Sequence, residues 1–190
     1  MKRVVIGALL SAVAVFLWGY LYWNVLPLRK SVYQPVSDEV RVGEELRSAL
    51  PETGVYEIPT QRSGEAMEAA LKRYQAGPIA EIIFLRDGAT PFAPSRFIGG
   101  FLHMFVSALL MGWLLMMALS PRLASYGSRV GLVVLAGLAG ALFAHLTYPI
   151  WYFHPWGLGL LRFFYDATCW LLTGLILARF VRPSGSPVRA

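Results

Sequence analysis

Four long apolar runs, separated by polar stretches, organise the chain. They cover residues 4 to about 26, 97–119, 130 to about 151, and about 156–181. About 20 apolar residues cross a hydrocarbon core, so each run predicts a transmembrane helix. The long stretch between the first two runs has a different rhythm. Ser37, a residue type that caps helix N-termini, precedes a helical pattern over 38–49 with Val40 and Leu46 among its apolar positions. Residues 55–59 read as a short strand. A second candidate cap, Ser63, precedes a helical pattern over 64–75, with Met67, Ala70, Leu71 and Tyr74 at helical spacing. Gly77 stops it. Residues 79–85 form the best strand pattern, apolar around the single charge of Glu81. The strand–helix–strand order predicts a parallel pair with a right-handed crossover.

The expected fold is therefore a membrane all-α protein. Four transmembrane helices carry a small α/β extracytoplasmic domain inserted between helices 1 and 2. Residues 1–26 are the first helix, a signal anchor. Residues 27–96 are the inserted domain. Residues 97–190 are a three-helix region (97–119, 130–151, 156–181) with a short cytoplasmic tail. Two strands and two helices bury little on their own. The inserted domain is expected to lean on the spans, a second copy or a partner.

Composition agrees with this layout. Of 190 residues 56% are hydrophobic and 15% charged, against about 25% charged in an ordinary soluble domain. The net charge of +6 does not indicate nucleic acid, because no basic run or aromatic–basic repeat accompanies it. A single cysteine, Cys169, excludes a disulfide framework and a zinc site built on several thiolates. Lys2 and Arg3 precede an apolar run that continues past the small residues Ala12 and Ala14, which suits an uncleaved anchor better than a signal peptide.

Loop charges orient the spans. Lys2 and Arg3, then Arg122 and Arg129, then Arg179, Arg182 and Arg189 all fall on one side. The turn Tyr152-Phe153-His154-Pro155 carries no Lys or Arg. The positive-inside rule places both termini in the cytoplasm and residues 27–96 outside, periplasmic in a Gram-negative cell. The rings of Trp18, Tyr20, Tyr22 and Trp23, and of Tyr148, Trp151, Tyr152 and Trp156, cluster at the outer ends of spans, as headgroup-level aromatic residues do.

One short motif points elsewhere. Leu50-Pro51-Glu52-Thr53-Gly54 resembles the sorting signal of Gram-positive wall-anchored proteins. That signal lies near a C-terminus, before one apolar span and a basic tail. Here about two thirds of the chain follows Gly54, so the motif is read as local structure. Pro51 ends a helix and Gly54 turns the chain into a strand.

Polar residues inside spans are costly, and they usually face the bundle interior. Gly159, Arg162, Asp166, Cys169 and Thr173 form one stripe on the fourth span. Arg162 and Asp166, one turn apart, are expected to neutralise each other. On the third span Gly137, Ala141 and His145 lie beside Ala136, Gly140 and Ala144, two small ridges that admit a close neighbour. On the rise of roughly 1.5 Å per residue, His103, His145 and Arg162 lie roughly 9 Å inside the outer ends of their helices and Asp166 roughly 15 Å. Tyr148 and Tyr165 can join this intramembrane cluster. Two histidines at matched depth suit axial ligation of a haem b. The same His, Tyr, Arg and Asp set suits a quinone or a lipid headgroup, and Arg162 with Asp166 suits proton or ion movement. A purely structural role, with each histidine linking helices, also fits. No Ser–His–acid, paired-carboxylate or metal-ligand motif of known spacing is present, so the sequence assembles no catalytic constellation, and a membrane enzyme stays a third alternative.

The layout resembles a family of small, uncharacterised multi-pass inner-membrane proteins of bacteria. The carrying residues are Trp23-Asn24-Val25-Leu26-Pro27, Leu50 through Tyr56, and Gly77-Pro78-Ile79-Ala80 before Phe101-Leu102-His103. The resemblance implies topology and a bacterial inner-membrane location but no activity. The expected function is a non-enzymatic accessory or interaction protein. Its partners are the lipid bilayer and either a membrane protein or another copy, not nucleic acid. The alternative is a haem- or quinone-binding redox subunit centred on His103 and His145.

Overall fold

The computed structural model describes residues 1–183; Arg189, one of the orienting charges, lies outside the described residues. The fold is mostly helical with a two-stranded sheet. The helices are α1 (Lys2–Tyr20), α2 (Glu39–Ala49), α3 (Met67–Ala76), α4 (Pro94–Met117), α5 (Tyr126–Trp151) and α6 (Trp156–Phe180). The strands are β1 (Gly54–Ile58) and β2 (Ala80–Phe84). Two units separate: residues 1–34 with 92–190, and residues 35–91.

Among the described residues four helices are long and apolar enough to cross a membrane, all in the first unit: α1 with its extension to Val25, α4, α5 and α6. α1 packs on both α4 and α6, and α5 packs on α6. Val4, Leu115, Val133, Leu177 and Val181 form a buried cluster. These come from the start of α1, the end of α4, the first half of α5 and the end of α6, so all four helices meet at one end of the bundle. At the other end α1 continues into one π-helical turn, Leu21–Val25. Trp18 Nε1 donates to Thr168 Oγ1 at 2.8 Å and Tyr22 OH donates to the Leu161 carbonyl at 2.9 Å. Part of the predicted aromatic belt is thus a helix–helix contact: Tyr22 is buried whereas Tyr20 is exposed.

The α5–α6 seam depends on small residues. At Gly137 the α6 ring of Trp170 comes so close that a Cβ would stand 2.1 Å from its Cγ. Only a hydrogen side chain admits the indole. The companion ridge differs, because Gly140 and Ala144 are exposed. Two ridges on adjacent faces cannot both meet one partner.

The second unit carries two corrections. β1 and β2 pair antiparallel, with Gly54 opposite Phe84 and Ile58 opposite Ala80, not in parallel. The chain leaves β1 through residues 59–66, and α3 brings it back. The end of α3 is tied to the exit of β1: Arg73 donates to the Thr60 carbonyl and to both Glu65 oxygens, and Tyr74 OH donates to Glu57 at 2.9 Å. The return therefore enters β2 beside the point of departure. The helix starts also shift. Asp38, not Ser37, caps α2 by accepting from the Arg41 amide. α3 starts at Met67 without a side-chain cap, not at Gly64 behind Ser63. Gly64 has φ +76°, a left-handed conformation that a right-handed helix excludes.

The LPETG stretch is a turn between α2 and β1. The Arg86 amide donates to Thr53 Oγ1, and its guanidinium donates to the carbonyls of Arg47 and Leu50, which are orphan acceptors at the end of α2.

Two outcomes test this account. Gly137→Ala should lower thermal stability in detergent, by about 1–3 kcal/mol as overpacked sites do, whereas Gly140→Ala, with open space around it, should not. The second concerns acid. Hydrogen bonds from Arg73 hold the Glu65 carboxyl below its usual range. Its contribution is present above the unfolded pKa of about 4.3 and is lost as pH falls through the folded value. Hydrogen-exchange protection of residues 60–74 in the full chain should fall between about pH 7 and pH 3. Glu65→Gln should flatten that dependence.

Candidate functional site

α6 brings the intramembrane polar residues together, but not in the predicted pairs. His145 Nε2–H donates to Asp166 Oδ2 at 2.8 Å, joining α5 to α6. Among the described residues Arg162 makes no ion pair with Asp166, so the expected neutral pair one turn apart does not form. The local cause lies in α5. Pro149 has no N–H to give to the carbonyl four residues earlier, which is that of His145. Gly159 lies against this freed carbonyl and against Pro149, at 3.1 Å and 2.9 Å from where its Cβ would stand. The close approach of the two helices at Gly159 and Gly137 brackets His145. It lets the imidazole reach the carboxylate of Asp166 across the seam.

Two cavities flank this pair. One, of about 180 Å³, lies among α1, α4 and α6. Its polar lining comes from Ser11, His103, Ser107, Tyr165, Asp166, Cys169 and Thr173, and its apolar walls include Val15, Met104 and Trp170. The other, of about 620 Å³, opens along α5 and α6 and is lined by Phe143, Ala144, His145, Thr147, Tyr148, Tyr152 and Arg162. Asp166 therefore faces the first cavity while its partner His145 faces the second. The predicted cluster divides in the same way: Tyr165 with Asp166 on one side, Tyr148 with Arg162 on the other.

The two histidines do not share a cavity. His103 lines the first and is exposed, while the Nε2 of His145 is engaged by a carboxylate. The first cavity is also below the roughly 300–1,000 Å³ usual for drug-sized ligands. Among the described residues no three His, Cys, Asp or Glu side chains group as metal ligands. The Ser107 hydroxyl donates to the backbone carbonyl of His103 at 2.9 Å. What the two cavities offer is hydrogen bonding to hydroxyl, carbonyl or anionic groups within the bundle.

Arg129 has a role that reading charges along the chain did not reveal. It is buried at the start of α5. Its guanidinium donates to the Ala178 carbonyl from Nε and Nη2, at 3.3 and 3.2 Å. Nη1 donates to the carbonyls of Leu123 and Ala124, at 3.1 and 2.6 Å. It clamps the end of α6 and the turn before α5, where helix-end carbonyls need donors. A lone arginine at a span boundary carries the same sequence signal whether it faces solvent or backbone.

The fold and site define a multi-pass helical membrane protein with one interhelical His–Asp link. Comparison of the chain with protein-family models, with curated proteins and with solved structures finds no match.

A double-mutant cycle checks the pairing. Replacing His145 and Asp166 by Leu, singly and together, should give a coupling of about 0.6 kcal/mol or more, the mean for hydrogen bonds between membrane helices. The same cycle on Arg162 and Asp166 should give a coupling smaller than that.

Proposed function

We propose that the protein is a non-enzymatic accessory component of a bacterial inner membrane, anchored by four spans. Both termini lie in the cytoplasm, and residues 27–96 lie on the outer side. The distribution of Lys and Arg in the short loops supports this orientation. The unit formed by residues 35–91 serves as the contact surface, either for a membrane complex or for another copy of the chain.

The observation that carries this reading is the lack of an interior in that unit. Among its residues Pro59 alone is buried. Its sheet has two strands, so each has an edge without a strand neighbour, and free edges are templates for pairing. Val55 and Ile83 sit opposite each other in the register, 68% and 74% exposed. Val40 and Met67 are each 74% exposed. A unit with this much apolar surface and so little core is stabilised by what covers it.

Photocrosslinking in native membranes tests the reading. A photoreactive residue at Val55 or Ile83 should give a discrete adduct, either with a second 21.1 kDa chain or with one membrane protein of fixed mass. The same probe at Arg41, on the charged surface of α2, should give none. Equal, diffuse labelling from all three positions would rule out a dedicated contact face.

A further inference from the structure

We propose that the cavity along α5 and α6 binds a phosphate group, with Arg162 as its principal donor. The inference rests on the four helices lying in a bilayer and is independent of what residues 35–91 contact. Asp166 is the only acidic side chain in the sequence of the four-helix unit; the other acidic residues all lie between positions 38 and 87. That carboxylate is engaged by His145. Arg162 is half-buried, and among the described residues no ion pair or hydrogen bond reaches its guanidinium. It lies six residues into α6, roughly 9 Å along the axis from Trp156. A guanidinium at that depth is costly without an anion. Within this unit the chain has no second acidic side chain to supply one.

The cavity around Arg162 has the matching chemistry. Tyr148 and Tyr152 bring phenolic hydroxyls, and His145 brings an imidazole edge. Tyr148 is braced on both sides, with ring centroids 5.8 Å from Tyr152 and 5.0 Å from His154. A planar guanidinium binds two phosphate oxygens through parallel N–H bonds, and tyrosine hydroxyls add single donors. One wall is apolar: Phe143 is 82% exposed and Ala144 is exposed beside it. A phosphodiester carrying acyl chains fits this arrangement, with the phosphate at Arg162 and a chain along Phe143. Free phosphate shares the charged half of that chemistry but makes no use of the wall.

The test uses the full-length protein in a neutral detergent. Binding of short-chain phosphatidylglycerol, of short-chain phosphatidylcholine and of inorganic phosphate is titrated by microscale thermophoresis. The wild type should bind phosphatidylglycerol. Arg162→Gln should weaken it about tenfold or more, as loss of a charge-assisted pair does. Arg162→Lys should weaken it less. Tyr148→Phe, which removes one hydroxyl and preserves packing, should weaken it measurably even if Arg162→Gln fails to fold. Arg179→Gln, on the far end of α6, should leave it unchanged. Phosphatidylglycerol binding that inorganic phosphate does not displace identifies a lipid as the ligand. Displacement by inorganic phosphate, with phosphatidylcholine inert, identifies a soluble phosphate. Equal affinity of wild type, Arg162→Gln and Tyr148→Phe for every probe overturns the proposal.

Discussion

A helix in hydrocarbon has no water to satisfy its polar groups, so each must find a partner within the protein. In this chain the α5–α6 seam meets that demand at both of its ends. Arg129 fills the carbonyls at one end of the seam. His145 and Asp166 pair toward the other. Between them the Gly137–Trp170 contact brings the helices close enough for both links to form. The remaining helices are arranged around this seam. α1 attaches to α6 through Trp18 and Tyr22, and α4 attaches through α1.

The unit of residues 35–91 is held on a different basis. It buries almost nothing, so packing does not fix its shape. Arginines do. Arg86 gathers the end of α2 and the turn before β1, and Arg73 gathers the loop after β1 and the end of α3. Surface ion pairs contribute modestly, but here each guanidinium also closes a backbone turn. Such a scaffold presents apolar residues such as Val55 and Ile83 outward instead of hiding them.

The division of polar residues between two cavities shapes what the bundle can do. Asp166 is withdrawn from Arg162 by a histidine on another helix. The consequence is a His145–Asp166 link on one side and, among the described residues, an Arg162 without a carboxylate partner on the other. The residues that read as one intramembrane cluster therefore line two separate cavities.

Much of the architecture was legible in the chain. The four spans follow from run length and hydropathy, because crossing a fixed thickness of hydrocarbon is a local requirement. The helix stop at Gly77 and the turn at Pro51–Gly54 follow from backbone restriction, which is also local. The small ridge on the third span marked a close neighbour correctly, though only one of its two faces is used. Pairings were not legible. Strand direction depended on Arg73 and Tyr74 reaching back to residues 57–65, a contact that helical spacing does not encode. The partner of Asp166 depended on the rotation of α5 about its axis and on how closely Pro149 and Gly159 let it approach α6. Residues one turn apart on one helix are always near each other, so Arg162 looked like the partner. A better-placed donor came from 21 positions away, and only the packing of two helices brings that pair together.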